Sequence, residues 1–345
     1  MELTGRTSQE LSEMAVEFGQ PSFRGNQIGE WLYKKTVRAI DDMINLPASL
    51  RAEMALKCQH PLLKISTVDR SIDGTAKYLL DLADGNRVEC VYLPYADRKS
   101  ICISTQVGCA MDCSFCATGI GGLTRDLTAG EIVDQVLLTQ AEEKQRITHV
   151  VYMGMGEPLA NYDQTVKSIR LLLNEVGISA RHITVSTVGL APAIRRLANE
   201  GIPLNLAVSI HASADNVRST IMPIASVHSM ADLLDACRYW IETTKRKITF
   251  EYLLLAGVND GPSDAVELGR RIKPLLASVN IIPYNHVEGR GDYRRPDRHR
   301  INTFKEALTA AGVTVTERKR KGNPINAACG QLRHESEIGR KITSP

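Results

Sequence analysis

Between residues 101 and 285 one pattern recurs six times: a run of five to eight mostly apolar residues, then a longer stretch with helical spacing. The runs are "ICIST" (101–105), "HVVYMGM" (149–155), "HITVST" (182–187), "LNLAVSIH" (204–211), "ITFEYLLL" (248–255) and "VNIIPYN" (279–285). Strands this short and apolar are buried on both faces, the habit of a parallel sheet covered by helices. Parallel neighbours cannot be joined by a tight turn, so each intervening helix is a crossover. The first, "TAGEIVDQVLLTQAEEK", opens with a capping box between Thr128 and Glu131. The series predicts an α/β fold, either an open sheet or an incomplete barrel, with its chemistry at the carboxyl ends of the strands.

The flanks differ in period. Residues 1–60 read as a small helical domain: "SQELSEMAVEFG" and "NQIGEWLYKK" carry apolar residues at helical spacing, and Pro47 can open a third helix, "PASLRAEMALK". Residues 61–96 alternate as strands, "LLKISTV", "AKYLLDL" and "RVECVYL", separated by Asp73-Gly74 and Asp84-Gly85, and predict a short antiparallel meander. The β/α core then occupies 97–300, and 301–345 is a C-terminal extension with a helix, a basic strand "VTVTERKRK" and a tail containing "NAACGQL".

No apolar run reaches the roughly 18 to 20 residues of a membrane span, and "MELTGRTSQE" lacks the apolar core of a signal peptide. The expected compartment is the cytoplasm. Eight cysteines in 345 residues are too sparse for a disulfide scaffold, so thiols, metal ligands or catalytic groups are expected. The formal charge of +3 hides an asymmetry, since residues 290–345 hold 13 Lys or Arg against 6 Asp or Glu, leaving −4 for residues 1–289. That end is either a solvated basic surface or the first contact for a polyanion.

Three thiols, Cys109, Cys113 and Cys116, stand in "CAMDCSFCATG" with spacing C-x3-C-x2-C, directly after the first strand of the series. Structural zinc wants four ligands, and no second pair of cysteines lies nearby. A [4Fe-4S] cluster with three protein ligands leaves one iron open for chemistry. In this context the motif resembles that of the radical S-adenosylmethionine (SAM) enzymes. The resemblance implies that the open iron chelates SAM and that one electron cleaves it to a 5′-deoxyadenosyl radical. It also implies a SAM pocket from the strand ends: Gly156 and Glu157 in "GMGEP", Ser186 in "VSTVG", Ser209, Ile210 and His211 in "SIH", and Asn285. Taken singly each reads equally as a cap or a satisfied polar group.

"FRGNQIGEWLYKK", "ICISTQVGCAMDCSFCATG", "LTAGEIVDQV", "MGMGEPLANYD" and "AACGQL" together resemble the RlmN/Cfr family of radical SAM RNA methyltransferases, and within it the RlmN branch, over nearly the whole chain. That branch methylates C2 of adenine in the peptidyl transferase centre of 23S rRNA and 3′ of the anticodon in tRNA. The carbon is electrophilic, so a methyl cannot simply be displaced onto it from SAM. The resemblance implies two SAM per turnover and three further site residues: Cys329 as the S-methylcysteine carrier, Glu89 in "VECVYL" as proton acceptor, and Cys102 in "ICIST" as the thiol that resolves the adduct through a transient disulfide. An electron donor such as flavodoxin and a monomeric state are also expected. From the residues alone, Glu89 sits in a strand apolar on both faces, and Cys102 equally suits a buried core thiol. Cys90 should face away from Glu89, and Cys58, Cys90 and Cys237 match no role.

Asn326 stands where the family usually has Asp. With few aromatic residues, RNA contacts are expected through phosphates at Arg290, Arg294, Arg295, Arg298 and the run 318–321. Two alternatives stay open: a Cfr-like transfer to adenine C8, against which "GMGEP" in place of "GMGEA" speaks, and a non-catalytic RNA-binding factor with a structural cluster.

Overall fold

The computed structural model describes residues 1–318, 321–322 and 325–332; of the basic run, Lys319 and Arg320 therefore lie outside the described residues. The chain opens with helices α1 (Ser8–Glu17), α2 (Phe23–Gly29, continued by a π turn over Glu30–Lys34) and α3 (Ala48–Lys57). A capping box between Thr7 and Glu10 starts α1. Gly25 lets α2 approach it, because a Cβ there would lie 2.2 Å from the backbone nitrogen of Ser12. Pro47 is the N-cap of α3, as its fixed φ suits.

Strands β1 (Lys64–Arg70), β2 (Ala76–Asp81) and β3 (Arg87–Pro94) form the antiparallel meander, and β3 pairs antiparallel with β4 (Lys99–Cys102). From β4 the sheet continues in parallel through β7 (His149–Tyr152), β8 (Ile183–Thr187), β9 (Asn205–Ser209), β10 (Ile248–Leu254) and β11 (Ala277–Pro283). Between β4 and β7 a separate two-stranded sheet, β5 (Gln106–Gly108) and β6 (Leu123–Asp126), stands apart. The crossover helices are α4 (Ala129–Glu143), α5 (Tyr162–Leu171), α6 (Ala191–Ala198), α7 (Asp215–Ile221), α8 (Met230–Thr244) and α9 (Pro262–Ile272). The expected capping box starts α4: Thr128 Oγ1 accepts from Glu131 N at 3.1 Å, and Glu131 Oε2 accepts from Thr128 N at 2.9 Å.

The β/α rhythm does not stop at six. Helix α10 (Arg298–Ala310) leads to β12 (Thr314–Glu317), which pairs in parallel with β11, so the start of the C-terminal segment extends the sheet. Ser100 on β4 and Arg318, just past β12, line one cavity although five strands of the order lie between β4 and β12. The sheet is therefore curled into an incomplete barrel rather than laid open. No helix among the described residues is long and apolar enough to cross a membrane.

The helical N-terminal region is fastened to this barrel by a buried charge. Asp134, fully buried on α4, accepts from both terminal nitrogens of Arg38 at 2.5 and 3.0 Å and from the amides of Leu62 and Leu63 at 3.2 and 2.9 Å. One carboxylate thus ties together the helical region, the start of the meander and the first crossover helix. Removing it leaves a guanidinium and two amides without their acceptor, which costs about 3–5 kcal/mol. Asp134→Ala is expected to lower the thermal unfolding midpoint followed by circular dichroism; an unchanged midpoint would show that the contact does not brace the junction.

Candidate active site

The cysteine loop is a long hairpin connection, and its base explains its position. β5 ends at Gly108, which has φ +80, and a Cβ there would lie 2.0 Å from the carbonyl oxygen of Gly122 on the opposite side. Only glycine permits this closure, across which Cys109 N donates to Gly122 O at 2.8 Å. The rest of the loop is held from outside: Ser114 N donates to Ile221 O at 3.0 Å, and Arg290 donates to Cys116 O at 2.9 Å while pairing with Asp112 at 2.6 Å. Three-residue β5 carries too little periodicity to be read from sequence, and the hairpin was not anticipated.

Cys109, Cys113 and Cys116 line one cavity. Among the described residues no three His, Cys, Asp or Glu side chains stand close enough to share a single metal ion, so the loop does not form a zinc-like point. A cluster with one iron per thiolate takes its ligands around a larger body, and the three thiols of this loop all face one cavity. Burial pushes the Cys109 thiol up to about 12 and that of Cys113 well above its ordinary value, and each neighbouring thiol pushes further. Such a set holds its thiolate form only against a strongly positive partner. The donor set therefore fits a [4Fe-4S] cluster.

The strand ends surround this loop. Gly156, Glu157, Ser186, Ser209, His211 and Asn285 line the same cavity. Gly156 has φ +95, and a Cβ would lie 2.5 Å from that of Gln106. The buried Glu157 carboxylate accepts from the amides of Leu159 at 3.0 Å and Val188 at 2.8 Å, joining the ends of β7 and β8; burial pushes it up to about 7 against those bonds. His211 adopts φ +52, its Nδ1 accepts from Leu253 N at 3.0 Å, and its ring meets Phe115 of the loop edge-on at 5.0 Å. Burial pushes it down to about 3, so it is neutral with the proton on Nε2. Ile210 departs from the expected set: its side chain is fully buried in the core, because neighbours at a strand end point to opposite sides, and it does not line the cavity.

The tail returns to the same place. Ala117 N donates to Gly330 O at 2.8 Å and Thr118 Oγ1 to Leu332 O at 2.7 Å, so half-buried Cys329 enters the cavity beside the cysteine loop. Asn326, where Asp was expected, takes φ +48, a left-handed conformation that Asn accepts readily. Cys102, the last residue of β4, lines a smaller adjoining cavity with Cys329 and Arg318. Burial pushes the Cys102 thiol up to about 12; Cys329 raises it further and Arg318 opposes the rise. Cys329 is raised by burial, lowered by Arg318 and raised again by Glu251 and Cys116. Its field thus reports the cysteine loop through Cys116 and the end of the sheet through Arg318 and Glu251.

Glu89 is buried on β3, on the face it shares with Val91, the register partner of Cys102, but it is not among the residues lining either cavity. Its surroundings differ from the expected apolar ones, since Lys77 of β2 reaches it at 3.1 Å as a diagonal cross-strand neighbour. Cys90 faces the other way, its Sγ 3.9 Å from Thr139 on α4. Two residues escaped the sequence reading. Arg318 was read as part of a phosphate-binding run, yet it lies between the two thiols and buried Glu251, which also accepts from Asn280 at 2.8 Å. Its position immediately after a strand was the available signal. Arg290 and Lys321 are likewise turned inward, Lys321 donating to Pro94 O at 2.8 Å, and Arg298 pairs with Glu317 at 2.6 Å; Arg294 and Arg295 are exposed.

Comparison with known proteins agrees with this geometry. A model described as "Radical SAM superfamily" matches residues 103–269, and one described as "Ribosomal RNA large subunit methyltransferase N-terminal domain" matches residues 1–59. Two relatives named "Probable dual-specificity RNA methyltransferase RlmN" are similar over nearly the full length. The one from Symbiobacterium thermophilum is 47% identical over 97% of this chain and 92% of its own, and that from Alkaliphilus oremlandii 46% identical over 97% and 98%. The crystal structure of a radical SAM methyltransferase from Sphaerobacter thermophilus superposes with a TM-score of 0.94 at 43% identity, covering 96% of this chain and 99% of that one. A radical SAM core joined to this N-terminal domain and this tail makes the chain a member of the RlmN family of the radical SAM superfamily.

Proposed function

We propose that this chain is a dual-specificity RNA methyltransferase that adds a methyl group to C2 of adenine in 23S rRNA and tRNA, consuming two SAM per turnover. The observation that carries the reading is the position of Cys329: it lines one cavity with Cys109, Cys113 and Cys116 and an adjoining one with Cys102. A merely structural cluster needs neither outlying thiol.

On this reading Cys109, Cys113 and Cys116 hold the [4Fe-4S] cluster, and Gly156, Glu157, Ser186, Ser209, His211 and Asn285 border SAM. When bound, the cluster and SAM supply a 5′-deoxyadenosyl radical that removes hydrogen from a methylated Cys329. Cys329 itself acquires that methyl as a thiolate, breaking the sulfonium S–CH3 bond of the first SAM. Its methylene carbon bonds to C2, and as the C2 proton passes to the Glu89 carboxylate the adduct radical gives back one electron, the equivalent of the one spent in cleaving SAM, to leave a closed-shell adduct. Cys102 then attacks the Cys329 sulfur, the sulfur–carbon bond breaks toward the base, and the released methylene takes up a proton to become methyl. A Cys102–Cys329 disulfide remains for reduction by external thiols. Arg318, beside both thiols, favours whichever carries the negative charge. The adenine must leave its stack to reach the cavity, and Arg294 and Arg295 are the phosphate contacts of this reading. A one-electron donor such as flavodoxin, a monomeric enzyme and a cytoplasmic setting complete the proposal.

The product identifies the activity. Mass spectrometry of nuclease-digested rRNA and tRNA from cells expressing the chain is expected to contain added 2-methyladenosine; 8-methyladenosine in its place would assign the Cfr-like activity instead. Cys102→Ala should accumulate a covalent protein–RNA species on a denaturing gel, whereas Cys329→Ala should abolish transfer and retain the cluster's iron content and absorbance. Free turnover by Cys102→Ala would move the resolving role elsewhere. Because burial pushes the Cys102 thiol up to about 12, its thiolate fraction at neutral pH is small and rises with pH. Resolution of the adduct in a single turnover should therefore accelerate about tenfold per pH unit between pH 7 and 9, the slope expected well below a pKa.

A further inference from the structure

The amino-terminal end of a β/α barrel is ordinarily the end that serves stability, with bulky branched side chains filling the lumen. Here the lowest inward-facing layer is small and polar instead: Ser100, His149, Thr184, Asn205 and Thr249, one from each of β4, β7, β8, β9 and β10. Such side chains leave the floor unfilled, and a cavity of about 820 Å³ opens there, at the opposite end from the cysteine loop.

Its rim is cationic. Arg98, Arg181, Lys245, Arg246 and Lys247 border it, although the chain up to residue 289 carries a net −4. Arg181, Lys245 and Lys247 are exposed and make no ion pair among the described residues. Arg246 donates to neutral acceptors, Leu204 O at 2.8 Å and Asn205 Oδ1 at 2.9 Å, and Arg98 lies over the Tyr95 ring at 4.1 Å with the exposed Asp97 as its one carboxylate partner at 3.2 Å among the described residues. The one carboxylate lining the cavity is Glu251, which lies deep and is already engaged by Asn280 and Arg318. Two imidazoles add donors: His149 and His182 stack at 4.1 Å, and burial, His182 and Arg98 together hold His149 below its ordinary value. Uncompensated cations at the mouth of a concave, hydroxyl-lined space are arranged for a compact, multiply charged oxyanion, and the arginine forks match phosphate oxygens two at a time.

We infer that the floor of the barrel is a second ligand site, taking a phosphate group from a nucleotide or from the backbone of an RNA strand. The site stands on the lumen and its rim, independently of the methyl-transfer reading.

The test uses the full-length chain and two probes, inorganic phosphate followed by 31P NMR line width and a 5′-fluorescein-labelled single-stranded oligoribonucleotide followed by anisotropy. Both target side chains are exposed and unpaired, so Arg181→Gln/Lys247→Gln should keep the wild-type unfolding midpoint. It should weaken phosphate binding at least tenfold, while Arg270→Gln/Lys273→Gln, on the outer helix α9 and at its C-cap, should not. If the group belongs to RNA, the oligoribonucleotide displaces phosphate, and its own log–log salt slope falls by about 1.4 in the double variant. If a free phosphate ester is the ligand, phosphate binds and the oligoribonucleotide leaves its signal unchanged. The inference is overturned if phosphate does not broaden with the wild-type chain, or does so equally with Arg181→Gln/Lys247→Gln. Arg181→Glu/Lys247→Glu gives a second measure, since reversed charge must abolish what neutralisation weakens.

Discussion

Parallel strands joined by crossovers must all end at the same edge, and the rest of this molecule depends on that directional constraint. It brings Gly156, Ser186, Ser209 and Asn285, spread over 130 positions, to a single rim. No local signal relates these residues; their common property is to lie at or just beyond the end of a strand. The curl of the sheet adds the second dimension, by placing Cys102 at the end of β4 within reach of a segment that follows β12.

Within that rim the electrostatics set the chemistry. Two adjoining cavities gather five thiols from three stretches of chain, and burial disfavours ionisation of the ones they enclose. Two different cations answer the two groups. Three thiols of the hairpin loop are suited to iron, while Cys102 and Cys329 have the guanidinium of Arg318, balanced by Glu251 when the thiols are neutral. On the proposed reading, that separation lets a redox centre and a nucleophile share a pocket without sharing ligands.

Much of this was legible early. The apolar runs located six parallel strands, and the Thr128–Glu131 pair marked a helix start, because period and capping are short-range physics. The structure ends the second of these runs at Tyr152 rather than residue 155, since the left-handed Gly156 turns the chain out of the ladder. Short β5 and β6 were invisible, as three or four residues display no period. The direction of basic side chains was equally hidden: Arg290, Arg318 and Lys321 counted as surface charge in composition, but each has inward acceptors or partners that only folding supplies. Ile210 illustrates the converse, a residue in the right stretch whose side chain belongs to the core.

The sequence by itself determined the class of fold, the loop that carries three thiols and the family to which the chain belongs, because spacing along the chain specifies strand direction and ligand count. Tertiary structure alone decided which thiol lies beside which, how the floor of the barrel is left open, and which cations face inward. Those outcomes depend on the curl of the sheet and the return of the tail, contacts such as Ala117 with Gly330 that join residues more than two hundred positions apart. Loop closure over such distances is governed by the packing of the whole, and no local pattern encodes it.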